Sequence, residues 1–122
     1  MKRVTLHWSF FFLFILLLAP KICAEDKVWV GTSKHWDRAN NWFPPGVPTT
    51  TDNVTIPYMA SGQYPEMNWI QVNDLTIEEG ASVFVKDGMN IAGKTTIAGT
   101  MTTSRGYFTF NELEITSTGS FT

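Results

Sequence analysis

Cysteine and histidine are nearly missing from this chain of 122 residues: Cys23 is the single cysteine, and His7 and His35 are the two histidines. Cys23 and His7 lie in the first 24 residues, a stretch that reads as a removable leader. The part beyond residue 24 then has no cysteine and one histidine. Disulfide staples, thiol nucleophiles and cysteine-bound metals are excluded there, and a serine or cysteine triad lacks support. Positive charge is also scarce. Beyond residue 24 there are six basic side chains against eleven acidic ones, a net charge of −5. Nucleic-acid binding needs clustered Lys and Arg to neutralise phosphates, so that partner class is set aside. A third absence is periodic: no window sustains an apolar repeat of about 3.6 residues, so no long helix is expected.

The leader itself is well marked. Lys2 and Arg3 precede an unbroken apolar run over residues 10–19, and Ile22 and Ala24 come after it. This is the layout of a secretory signal peptide, with cleavage expected between Ala24 and Glu25. Pro20 and Lys21 end the run well short of the roughly 20 apolar residues that a bilayer-spanning helix needs. Lys21 and Ile22, standing just before Cys23, do not suit lipid attachment at a bacterial lipoprotein cysteine. After cleavage no membrane span remains, and the protein is expected to be secreted or at the cell surface. Residues 1–24 hold 17 of the 53 hydrophobic residues, so the other 98 positions are only about 37% apolar. With no cross-links available, their stability must come from β-pairing and apolar stacking.

The remainder changes character near residue 70. Residues 25–70 carry the four remaining tryptophans and five of the six prolines. They read as loops with isolated short strands at 28–30 and 54–56, since Pro44, Pro45, Gly46 and Pro48 force turns and forbid a helix. Residues 71–122 read differently. Alternating triplets recur at 75–77, 83–85, 89–91, 108–110 and 113–115, separated by glycines, and nine threonines fall in the last 28 residues. Short runs with one buried face, punctuated by glycine, describe an all-β chain.

Within it a repeat is visible. Ile77-Glu-Glu-Gly80-Ala-Ser-Val83 aligns with Ile97-Ala-Gly99-Thr-Met101 and with Ile115-Thr-Ser-Thr-Gly119-Ser-Phe121, the isoleucines being 20 and then 18 residues apart. That period predicts stacked coils: a short right-handed parallel β-helix, or solenoid, with inward Ile, Val, Leu and Phe in continuous ladders. Outward Thr, Asn, Glu and Lys would meet solvent, and glycine would supply corners of positive φ. A β-sandwich of similarly short strands is the alternative.

Trp29-Val-Gly31, Trp36, Ala39, Asn41-Trp42, Gly46, Pro48 and Asp52-Asn-Val54-Thr-Ile56 occur one after another in that order, and Leu75-Thr-Ile77-Glu-Glu-Gly80-Ala-Ser82-Val83 comes next. This set resembles the N-terminal part of secreted and surface β-solenoid proteins of Gram-negative bacteria, adhesin-like in type, over nearly all of residues 28–122. The resemblance implies an architecture shared by adhesins, surface repeat proteins and polysaccharide-active proteins, and no single function. Such proteins are usually much longer, so this chain is expected to hold only the N-terminal cap and the first, incomplete coils of one. A solenoid's first coil needs a lid, and large rings covering 150–250 Å² each serve well. Trp29, Trp36, Trp42 and Trp69 are the cap candidates, with Asn41 and Asp52 satisfying backbone groups in the turns.

The expected role is non-enzymatic: a secreted or cell-surface structural or adhesin-like protein, with no cofactor and no metal. Its partner would be an extracellular glycan or a surface protein. A carbohydrate-binding module, or the non-catalytic leading part of a polysaccharide-degrading enzyme, is the alternative. For glycan contact, Tyr58, Tyr64 and Trp69 offer rings that could stack on sugar faces. Asp37, Asn40, Asn41 and Asp52 supply oxygens in loops, but without the spacing of a calcium loop. Glu112 and Glu114 share one strand face and are expected to meet water rather than to flank a substrate. Asn53-Val-Thr55 matches a glycosylation sequon, yet within a strand it reads as a ladder element.

Overall fold

The computed structural model describes residues 24–122, and the expected signal peptide, all but its last residue Ala24, therefore lies outside the described residues. Among them the only helix is a single 3₁₀ turn, Ala39–Asn41. Nine strands form one sheet: β1 Asp26–Trp29, β2 Trp42–Phe43, β3 Asn53–Ile56, β4 Glu66–Val72, β5 Asp74–Ile77, β6 Ser82–Ile97, β7 Thr100–Thr103, β8 Tyr107–Ile115 and β9 Ser120–Phe121. Every pairing is parallel except β1 with β2. The fold is a β-solenoid.

Its three faces are defined by the registers. On the first, Lys27, Val54, Leu75, Thr95 and Leu113 lie one above the next. Beside them Ile56, Ile77, Ile97 and Ile115 make a second inward column. The second face stacks Val83, Met101 and Phe121, and the third stacks Ile70, Met89 and Phe108 beside Val72, Ile91 and Phe110. The isoleucine repeat in the sequence is thus a physical column, and one turn of the coil explains its spacing. Ile56, Ile77 and Ile97 are fully buried, each contributing about 1.5–3 kcal/mol of apolar transfer. Strand pairing runs unbroken from β1 to β8, so the tryptophan-rich stretch and the coils share one sheet.

Three local expectations need correction. Residues 66–72 form a strand, not a loop: the alternation is hidden because the register slips between Met67 and Trp69, putting Asn68 and Trp69 both outward. Lys27 and Thr95 point inward although polar. Lys27 is tolerated because its ammonium donates to the carbonyls of Pro44 and Pro45 at 2.9 and 3.2 Å and pairs with Glu25 at 3.3 Å. Thr95 has no such outlet, and its buried Oγ1 lacks a hydrogen-bond partner. Finally, the repeat glycines are not alike. Gly80 has a positive φ of 81°, but Gly99 and Gly119 are required by close approach: a Cβ there would overlap the carbonyl oxygens of Ala81 and Ile97 in the coil alongside.

Outward positions carry polar ladders. Asn73 Nδ2 donates to Asn53 Oδ1 at 2.9 Å, and Asn53 Nδ2 donates to Asp26 Oδ1 at 3.2 Å. Glu112 and Glu114 are exposed and both face Lys94, at 3.8 and 2.7 Å. The hydrogen bond to Glu114, with its charge, holds the Lys94 pKa above the ordinary lysine value, although a surface pair of this kind adds little stability.

These columns make opposite forecasts for two neighbours in the core. Ile77→Ala leaves a void between Ile56 and Ile97 and is expected to cost about 2–5 kcal/mol. Thr95→Val removes an unsatisfied hydroxyl and is expected to stabilise by about 1 kcal/mol. Urea unfolding midpoints of the two variants, moving in opposite directions, check both.

Candidate functional site

Three tryptophans close one end of the stack. Trp29, Trp36 and Trp42 are buried, and Trp42 meets Trp29 and Trp36 edge-on, with ring centroids 5.1 and 4.6 Å apart. Their polar edges are used as well: Trp29 Nε1 donates to the Gln63 carbonyl at 2.7 Å, and Trp42 Nε1 donates to the Trp36 carbonyl at 2.8 Å. Strand β2 brings Trp42 opposite Trp29.

Asn41 and Asp52 hold the loops around this cluster. Asn41, with no exposed surface, accepts from Thr32 Oγ1 and the Ser33 amide, and donates to Ser33 Oγ and the His35 carbonyl. Asp52 accepts from the amides of Glu25 and Thr49 and from Thr49 Oγ1. Buried polar side chains of this kind are costly unless so paired. The same bonds occupy the oxygens of Asn41 and Asp52, two of the four residues that had suggested a cation loop. Among the described residues no group of three or more His, Cys, Asp or Glu side chains is placed to hold a metal ion.

Trp69 departs from the cap. It lies outside the cluster with 48% of its surface exposed. The two tyrosines grouped with it in the sequence lie elsewhere. Tyr58, 62% exposed, covers Gly80, whereas Tyr64 is packed against the core. Tyr64 Oη accepts from the Met59 amide at 2.9 Å and donates to the Gly80 carbonyl at 3.3 Å. The three candidate rings therefore occupy two corners of the solenoid, and the Tyr64 hydroxyl is already engaged.

The Trp69 corner is concave. A cleft of about 530 Å³ is lined by Lys34, His35, Trp36, Asp37, Glu66, Met67, Asn68, Trp69 and Lys86. A second hollow of about 500 Å³, lined by Asn68, Phe84, Lys86, Asp87, Ser104 and Arg105, shares Asn68 and Lys86 with the first. Together they make one groove along the corner between the second and third faces.

The register explains the groove. Met67, Val85 and Thr103 align, and so do Trp69, Gly88 and Tyr107. Between those two columns the first coil has Asn68 alone, the next has Lys86 and Asp87, and the third has Ser104, Arg105 and Gly106. The corner thus widens by one residue per coil. Extra residues opposite a shorter partner bulge outward and re-aim side chains. The bulged corners are tied down: the amides of Ser104 and Arg105 donate to the Val85 and Lys86 carbonyls, both at 3.2 Å, and Ser104 Oγ donates to the Lys86 carbonyl at 2.9 Å.

Gly88 fixes the platform. Its φ is 134°, and a Cβ there would stand 2.8 Å from the Trp69 ring and overlap the Tyr107 carbonyl. The indole therefore lies over bare backbone, and Tyr107, one coil beyond Gly88 in the same column, is 85% exposed.

Residues 28–112 match the model of a family described as a domain of unknown function, DUF8693. The chain belongs to this family. The matched span holds the tryptophan cap and every residue lining the groove, from Lys34 to Arg105. No curated protein and no solved structure matches the chain.

Lys34, Asn68, Lys86, Gly88, Arg105 and Tyr107 were not legible as site residues in the sequence. One signal was there: Asn68, Lys86 and Ser104 recur at intervals of 18, the step between the last two isoleucines of the repeat.

If Gly88 is the seat of the indole, Gly88→Ala must displace Trp69 and strain the backbone. The expected cost is about 1–3 kcal/mol, together with a changed near-ultraviolet circular dichroism signal from the shifted indole. An unaltered spectrum with unaltered stability would show that the ring does not rest there.

Proposed function

We propose that this chain is a non-enzymatic, exported recognition module: a secreted or cell-surface β-solenoid, adhesin-like in role, whose contact chemistry is carbohydrate binding at the Trp69 groove. One observation carries the reading. Trp69 is a large apolar ring held half exposed over Gly88, in a cleft otherwise lined largely by polar and charged side chains. A sugar has apolar C–H faces and polar edges, so a rigid ring flanked by hydrogen-bonding groups suits it. Asn68, His35 and Lys86 supply such groups.

The ordered motifs Trp29-Val-Gly31, Asn41-Trp42 and Asp52-Asn-Val54-Thr-Ile56 support placing the chain among adhesin-like surface proteins of Gram-negative bacteria. The leader over residues 1–24 supports export, and the exported protein should begin at Glu25. N-terminal sequencing of the protein recovered outside the cytoplasm reads this directly.

Binding is tested on a glycan array with the protein spanning residues 25–122. Trp69→Ala should weaken any glycan bound by wild type roughly tenfold or more, the loss typical of an anchoring ring, while leaving the melting temperature nearly unchanged. Tyr58→Ala, at the other corner, should leave affinity within about twofold. Loss of binding with Tyr58→Ala but not with Trp69→Ala would move the site away from the groove. Absence of binding to every glycan would remove the carbohydrate reading altogether.

A further inference from the structure

The charges of the groove are unequally spent. Lys34 is paired with Glu66 at 3.3 Å, and Arg105 with Asp87 at 3.4 Å. Each hollow thus carries one internal ion pair among its lining residues. Lys86 is different. It lines both hollows, it is exposed, and no carboxylate among the described residues lies within ion-pair distance of its ammonium. Asp37 is the remaining unpaired charge of the groove, and it lines only the first hollow. The second hollow, with Lys86, Arg105 and Asp87, therefore has a net positive lining in a chain whose part beyond residue 24 carries −5.

Position adds to charge. Lys86 is the first of the two residues at the bulged corner, one coil along from Asn68, with Asp87 between it and the column that holds Trp69 over Gly88. Its carbonyl accepts from Arg105 and from Ser104, so the backbone carrying the lysine is fixed by the following coil. An exposed ring and a cation on fixed backbone therefore share one concave surface. A neutral sugar would use the ring and leave the ammonium without a counter-charge.

We propose that the groove selects acidic glycans: a uronic acid or another carboxylated sugar stacks on Trp69 and places its carboxylate against Lys86, at the junction of the two hollows and away from Asp37. This rests on the carbohydrate reading and narrows it to one class. A carboxylate facing a lysine ammonium makes charge-assisted hydrogen bonds, roughly twice as strong as neutral ones. The same contact is weakened by salt because the groove is open to solvent.

The experiment compares sugars that differ only in the acid. Residues 25–122 are titrated calorimetrically with oligogalacturonate against oligogalactose and oligoglucuronate against oligoglucose, at low and at physiological salt. The acidic member of at least one pair is expected to bind about tenfold more tightly, the preference shrinking as salt rises. Lys86→Gln should erase the preference by lowering affinity for the acidic sugar, and Lys86→Arg should keep most of it. Asp37→Asn should strengthen acidic binding. Because Lys86 is exposed, these variants should melt with wild type, and thermal unfolding checks that they do. Equal affinity for acidic and neutral members, unchanged by Lys86→Gln, would overturn the selectivity and leave the carbohydrate reading standing. No binding to either member of any pair would overturn both.

Discussion

Coil-on-coil register is the constraint on which the rest of this structure depends. In a parallel stack each inward side chain is buried mainly by its counterpart one turn earlier and one turn later. Ile77 is covered by Ile56 and Ile97, and Met89 by Ile70 and Phe108. Period-2 alternation makes register nearly all-or-none, since a slip of one residue would send a whole column into solvent. The backbone enforces the same alignment, because each strand's amides and carbonyls pair with those of the next coil. Length changes are then tolerated only where no column passes: at the corners.

The cap answers the problem that stacking creates at its first coil. Val54 and Ile56 would otherwise present one side to water. Trp29, Trp36 and Trp42 form a contiguous cluster with the core, and Lys27 carries its charge sideways to the carbonyls of Pro44 and Pro45. Asn41 and Asp52 together engage turn amides and hydroxyls that the sheet cannot reach. Loop-rich sequence in this part of the chain is therefore not loosely held. Pro44 and Pro45 are tied to β1 through Lys27, and Trp29 and Trp42 donate from their strands to loop carbonyls.

Much of this was legible, and the rest was hidden for physical reasons. The all-β class and the coil period could be read because Ile77, Ile97 and Ile115 occupy one column and a glycine follows each of them at the next corner. Strand β4 could not be read, because the slip at Asn68 breaks its alternation at mid-strand. Thr95 and Lys27 were hidden for another reason: periodicity assigns polar residues outward, and only three-dimensional context shows an inward polar residue. Trp69 is the instructive case. By composition it belongs with Trp29, Trp36 and Trp42, yet it sits across the slipped register, and its exposure depends on Gly88 in a different coil. No local pattern around residue 69 contains that glycine.

The groove and the core are thus two results of one rule. Columns of Ile, Val and Met fix the strand segments so tightly that variation in coil length falls at the corners, among them the one between the second and third faces. There the chain gains one residue per turn, from Asn68 to Lys86 and Asp87 to Ser104, Arg105 and Gly106. Each added residue moves polar groups outward while the flanking columns stay aligned, so the corner becomes concave without disturbing the stack. Exposed rings and charges placed by such bulges stand on backbone as firmly held as the core beneath them, since hydrogen bonds between successive coils hold the corner. A solenoid of this kind needs no separate scaffold for such a surface: the misfit in coil length that the core cannot absorb is taken up at its corners.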